Sequence, residues 1–203
     1  MITLGFVVGL AAEGRIAARL GPIAVGGGLP MGAEVAAEAL VAQGVQGLVS
    51  FGLAGGLDPA LRPGALVCPA HVREGETLYA TTPLLGVRRH GTLFAGEDIV
   101  TKASEKLALF ASTCAVAVDL ESGAVARVAA RHGLPFAVLR AICDPAGQDL
   151  PPAALVALNG GAIGVTQVLL SLARSPTQLP ALLALAKNTA AARAALISFT
   201  RGG

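Results

Sequence analysis

Apolar residues along this chain come in short, nearly unbroken runs set between small and polar residues, and the spacing switches repeatedly between strand-like and helix-like. Residues 2–8 read as a strand, and 45–50, short and largely apolar, as a strand buried on both faces. Runs at 22–25, 65–72, 78–79, 93–95, 115–118 and 134–142 read as further strands. Between them the spacing turns helical at 9–20, at about 32–42 with Glu34 and Glu38 outermost, in a short helix opened by Thr101, and at 120–132, ended by Gly133. Such alternation predicts an α/β fold: three layers, α/β/α, with a central, mainly parallel or mixed sheet.

From about residue 151 the pattern is helical only. Residues 151–173 carry no charge and are long enough to span a bilayer, but Pro151-Pro152, Asn159-Gly160-Gly161 and Thr166-Gln167 divide them. Two buried helical pieces are expected there, then an amphipathic helix from Ser175-Pro176. No linker, repeat or low-complexity block interrupts the chain, so residues 1–203 are expected to form one domain with a helical C-terminal segment.

Composition narrows the function classes. The chain is 54% hydrophobic but only 3% aromatic, so the core must be Ala, Leu and Val packed closely with Gly. A net charge of +2, 14% charged residues, one Tyr and no Trp leave neither a basic face nor a stacking platform for nucleic acid. Cys68, Cys114 and Cys143 are odd in number and set among apolar residues, which predicts reduced core thiols in a cytoplasmic protein. His71, His90 and His132 share no ligand spacing, so no metal site is expected. Glu13 and Arg15 follow the first apolar run too closely for a signal peptide, and the mature chain is read as beginning at Met1.

Candidate chemistry lies where strands end. Phe51-Gly52-Leu53-Ala54-Gly55-Gly56-Leu57-Asp58-Pro59 reads as a loop whose small residues let a ligand approach backbone N–H groups. Glu13, the Gly26-Gly27-Gly28 loop, Gly96 to Val100, Asp119 with Glu121, and Asp144 follow other strands, and a parallel sheet would gather all of these at one edge. Each acid also has a plainer reading. Glu13 and Glu121 suit first helical turns, Asp119 suits a cap, and Asp144-Pro145 suits a turn. The Gly26 and Gly28 pair starts a dinucleotide fingerprint that Met31 leaves incomplete, and there is no Walker A sequence.

Four segments together resemble the signatures of the nucleoside phosphorylase and methylthioadenosine/adenosylhomocysteine nucleosidase superfamily. They are the Phe51 to Pro59 loop with Leu61-Arg62-Pro63-Gly64-Ala65-Leu66-Val67, then Ala95-Gly96-Glu97-Asp98-Ile99-Val100, Val118-Asp119-Leu120-Glu121-Ser122, and Arg140-Ala141-Ile142-Cys143-Asp144. Within it, Gly9-Leu10-Ala11-Ala12-Glu13, Asp144-Pro145-Ala146 and Asp149-Leu150-Pro151-Pro152 look most like the phosphorylase-like proteins associated with hopanoid biosynthesis, thought to remove adenine from adenosylhopane.

The resemblance implies an enzyme that cleaves the N-glycosidic bond of a 5'-substituted adenine nucleoside. Asp144 matches the acid serving the departing base, Glu121 the residue holding the ribose hydroxyls, and Leu120 a position against the sugar. Ile99 and Val100 match the backbone beside adenine, and Ala54 and Gly55 the loop near ribose and phosphate or water. Glu13 lies within one residue of the nucleosidases' water-positioning glutamate, with Gly14 the competing alignment. Arg15, with Gly55, suits the phosphate of a phosphorylase. Water and phosphate therefore stay open as nucleophile, with phosphate the only co-substrate implied and no cofactor.

The apolar balance is compatible with a lipid-tailed substrate and peripheral membrane contact, although an Ala- and Leu-rich core explains it equally. A homo-oligomer is expected, altered by a chain that is short between Val72 and Leu93, where relatives carry interface and lid material. Methylthioadenosine/adenosylhomocysteine cleavage is the near alternative, and a non-catalytic nucleoside-binding module on the same scaffold the distant one.

Overall fold

The computed structural model describes residues 2–84, 86–89, 91–152, 154 and 176–202. The first half alternates as the pattern predicts: β1 (Leu4–Val8), α1 (Ala11–Ala17), β2 (Ile23–Val25), α2 (Pro30–Ala42) and β3 (Gly47–Gly56). Three short strands follow, β4 (Leu66–Val67), β5 (His71–Glu74) and β6 (Thr77–Ala80). Then come β7 (Thr92–Ala95), α3 (Ala103–Thr113), β8 (Ala115–Asp119), α4 (Ser122–Arg131) and β9 (Phe136–Asp144). A 3-10 turn, Pro176–Gln178, leads into α5 (Leu179–Gly202).

The strands form one mixed sheet with the path β2-β1-β3-β8-β7-β5-β6, and β9 pairs with β3 and β4 off that path. Parallel pairing joins β1 to β2 and β3, β3 to β9, and β7 to β5 and β8, whereas β3–β8, β4–β9 and β5–β6 are antiparallel. Ten-residue β3 is the spine. Leu48 to Ala54 lie beside Phe136 to Ile142, while Gly55 and Gly56 at its tip turn to meet Val118 and Ala117. A register shift between Ala54 and Gly55 marks that turn, and such an irregularity sharpens the local twist, so the sheet curls.

Side chains alternate across the sheet and build an apolar layer on each face. On one face Val7, Leu48 and Val138 pack with Ala33 and Leu40 of α2 and Val125 of α4. On the other, Phe6, Val49, Phe51 and Leu139 pack with Ala17 of α1 and Ala192 and Leu196 of α5. Phe6 and Phe51 meet edge to face at 6.1 Å. Helices thus cover both faces of a curled central sheet, the predicted fold class. Helix α5 has the length and composition to cross a membrane, and it packs along β9.

Several local expectations are corrected. Residues 51–56 are not a loop but the second half of β3. The predicted strand at 65–72 is split into β4 and the start of β5. Helix α3 begins at Ala103 rather than Thr101, because the Asp149 carboxylate accepts the Ala103 N–H at 2.8 Å. Helix α4 begins at Ser122, with Glu121 as its N-cap residue. Cys114 is no core thiol: it is exposed and closes α3 in the left-handed conformation, φ 55°. His132 is solvated, its ring 2.9 Å from Glu38, among the carboxylate–arginine pairs joining α2 to α4. His90 and the helical pieces expected within 155–173 lie outside the described residues.

Candidate active site

Parallel β1, β3 and β9 end at the same edge of the sheet, and the antiparallel tip of β3 turns the end of β8 toward them. Glu13 stands in the first turn of α1, where its Oε2 accepts the Leu10 N–H at 2.9 Å, as a capping acid does. Its Oε1 accepts the Leu53 N–H of β3 at 3.0 Å, which moves it from a local cap into the site.

Arg140 is the hub. It projects from β9 toward the α2/α4 side and is 1% exposed. Its Nε lies 2.6 Å from Asp119 Oδ2, and its Nη2 donates to Glu121 Oε2 at 3.0 Å and Ser50 Oγ at 2.7 Å. Asp119 also accepts the Ser122 N–H at 3.1 Å and the Ser122 hydroxyl, so the start of α4 is tied to the arginine. The predicted capping role of Asp119 and its place in the site are therefore the same geometry.

Glycine is required at two positions here. A Cβ on Gly52, φ +154°, would sit 2.7 Å from Arg140 Nη1 and 2.8 Å from Glu13 Oε1. One on Gly9 would sit 2.7 Å from Glu121 Oε1. That oxygen is buried with no hydrogen-bond partner among the described residues, an orphaned acceptor of the kind a ligand hydroxyl satisfies. Burial pushes the Glu121 carboxyl up to about 7; Arg140 opposes the rise, and Asp119 and Glu13 add to it.

Asp144 ends β9 beside Gly55 and is largely buried. Its Oδ2 lies 2.6 Å from the ammonium of Lys106, which reaches in from α3 and is completely buried. Burial raises the Asp144 carboxyl above its ordinary range, and the hydrogen bond and charge of Lys106 hold that rise back. Cys143 next to it is pushed up to about 12 by burial, so it stays a neutral thiol, with Sγ 3.6 Å from the Ala54 carbonyl.

Of the predicted residues, Glu13, Glu121, Asp144, Ala54 and Gly55 are brought together. Leu120 is half-buried between Asp119 and Glu121. Ile99 and Val100 line a cavity of about 480 Å³ with Phe94 and Leu109, against the helix that carries Lys106. Arg15 departs from expectation: it is exposed, two residues from buried Glu13 and so about 200° round the helix. The Gly26 to Gly28 loop takes no part in these contacts. A larger cavity, about 810 Å³, opens between the sheet and α5. Its lining includes Phe6, Phe51, Leu139 and Phe199 and, among the described residues, no ionisable side chain, so the chemistry is sought at the charged edge.

Reasoning from sequence missed Arg140, Lys106, Ser50 and Ser122. Arg140 did leave a signal, since a charge in the middle of an otherwise apolar strand must be paired inside the protein.

The family model of the Phosphorylase superfamily matches residues 85–160, less than half of the chain. No curated protein matches it. Among solved structures, the chain is similar to 5'-methylthioadenosine/S-adenosylhomocysteine nucleosidase from Helicobacter pylori, with TM-score 0.68 and 17% identity over 100% of this chain and 99% of that one. Futalosine hydrolase of H. pylori strain 26695 gives 0.65 and 18%, over 85% of this chain and 97% of that one. S-adenosylhomocysteine nucleosidase from Streptococcus pyogenes, in complex with 5-methylthiotubericidin, gives 0.66 and 15%, over 84% and 94%. The fold is that of the nucleoside phosphorylases and nucleosidases.

Proposed function

We propose that this chain is an enzyme that cleaves the N-glycosidic bond of a 5'-substituted adenine nucleoside and releases adenine. The observation that carries the reading is the convergence of Glu13, Glu121 and Asp144 at one sheet edge around buried cations. The unpartnered oxygen of Glu121 suits a ribose hydroxyl, and its negative charge suits a sugar acquiring oxocarbenium character. Asp144, raised by burial, gives its proton to a purine ring nitrogen as the bond electrons move onto the base. Glu13 orients the attacking water and takes its proton.

Charge count favours water over phosphate. Three carboxylates surround the single guanidinium of Arg140, and a phosphate anion entering there would meet an excess of negative charge. Exposed Arg15 does not offset it.

We favour adenosylhopane as substrate, on the motif likeness to the hopanoid-associated subfamily. Methylthioadenosine and adenosylhomocysteine are the rivals. Cytoplasmic location, peripheral membrane contact and a homo-oligomer belong to the same reading. For the oligomer, Leu29, Met31 and Val35 leave apolar surface exposed at the start of α2.

The test is adenine release from adenosine, methylthioadenosine, adenosylhomocysteine and adenosylhopane, each with and without phosphate. Phosphate-independent release is expected, fastest from adenosylhopane. Release that requires phosphate would overturn the choice of water, and a faster rival would overturn the substrate. Adenine binding without release from any of them would make the chain a binding module.

A further inference from the structure

Lys106 is the buried group that the chemistry above leaves without a task. It lies in the first turns of α3, is 0% exposed, and belongs to the largest fully buried side chains. Its ammonium points into the turn after β9, 2.6 Å from Asp144 Oδ2, 2.7 Å from the Gln148 carbonyl and 3.3 Å from the Pro145 carbonyl. These three acceptors match its three N–H donors. The two carbonyls are neutral, so the ammonium has a counter-charge beside it whenever the Asp144 carboxyl is ionised. From the other side, β3 presents Gly55, which carries no charge. Asp149 is the other carboxylate acting on Asp144, and Cys143 beside it stays neutral. Among the described residues, Lys106 is the cation in contact with this acid.

We propose that Lys106 is a positioning residue for base departure: its ammonium holds the Asp144 carboxyl in place and stabilises the carboxylate left once Asp144 has passed its proton to the base. This rests on the functional reading above. As the bond between sugar and base breaks, its electron pair goes to the base and the Asp144 O–H proton to a ring nitrogen. A carboxylate then remains in a largely apolar pocket, 2.6 Å from a positive charge already in position. Water adds to the sugar carbon, its proton passes to Glu13, and solvent restores the Asp144 proton after release. A clamp alone would need only hydrogen-bond donors; stabilising the carboxylate needs the charge.

Lys106→Met removes the charge and keeps much of the stem. Lys106→Gln keeps donors for the carbonyls and replaces it where the Met protein does not fold. Lys106→Arg keeps the charge. Without the ammonium, Asp144 titrates higher. The alkaline limb of the kcat profile should move up by about one pH unit, and kcat at neutral pH should fall about tenfold or more with KM nearly unchanged. Lys106→Arg should recover most of kcat. The Asp144 carboxyl, followed by carbon-13 NMR in ligand-free protein, should show the same upward move without relying on turnover. An unmoved limb and an unmoved carboxyl titration, or equal losses in the Arg and Gln proteins, would overturn the assignment. If the wild type releases adenine and Asp144→Asn does not, such a result removes only Lys106. If the wild type releases none, the reading of the site falls and this inference with it.

Discussion

Arg140 and Lys106 are both buried cations at the same edge of the sheet, yet they keep different company. Arg140 has Asp119 and Glu121 in direct contact and Glu13 close by, three acids around one base. Lys106 faces one carboxyl group and two carbonyls, and the pair is neutral once Asp144 is ionised. In the proposed reaction the sugar turns positive beside the surplus negative charge, and the base turns negative beside Asp144 and its nearby cation. Similar desolvated parts, differently balanced, give the pocket an electrical direction.

The largest effect should come from the Lys106 side. Asp144→Asn removes the transferable proton and should lower kcat by about 10² to 10⁴, with adenine still bound in equilibrium dialysis. Unchanged turnover would strip Asp144 of its role. On the other side, Arg140→Met would strand Asp119 and Glu121 without their cation, and denaturant melts should show about 3–5 kcal/mol lost. A neutral effect would mean the cluster does not need its base.

Burial, with Asp119 and Glu13 adding to it, can be read directly in Glu121. Its folded pKa of about 7 lies above the ordinary 4.5, so the folded state binds the extra proton. The stability this contributes is complete below pH 4.5 and lost as pH rises through about 7, roughly 3 kcal/mol in all. Glu121→Gln should flatten that slope in urea melts across the same window. Hydroxyls donating to Glu121 favour its charged form, so nucleoside binding at pH 7 should release about half a proton, measured by calorimetry in buffers of different ionisation enthalpy. Smallest of the set, Gly52→Ala would press a methyl between Arg140 and Glu13, neither free to move, at about 1–3 kcal/mol of stability.

The layered fold was legible because its strands are short apolar runs and its helices carry polar faces. The candidate acids were legible because they follow strands, and they could be placed together through the parallel topology. What stayed hidden depends on contacts distant in sequence. Gly52 to Gly56 has the composition of a loop, but it is strand, and Gly52 within it makes room for Arg140 and Glu13. Lys106 sits beside Glu105 at the start of a helix, and nothing local reveals that the carbonyls of Pro145 and Gln148 meet its ammonium. Arg15 came from the resemblance alone, as a phosphate ligand, and the helical turn puts its side chain on the exposed side of α1 while Glu13 is buried.

Strand β3 also sets a timetable. Its inner edge is completed by β9, which follows it by almost ninety residues, with Leu48 beside Phe136 and Ala54 beside Ile142. A growing chain that has reached Gly133 already holds Glu13, Glu121 and the lysine of α3, but neither Arg140 nor Asp144. Its acids then have no guanidinium, and its buried lysine has no counter-charge. Docking of β9 therefore closes the sheet and brings Arg140 to the acids and Asp144 to the lysine in a single late event, and loop closure over that span makes it a slow one.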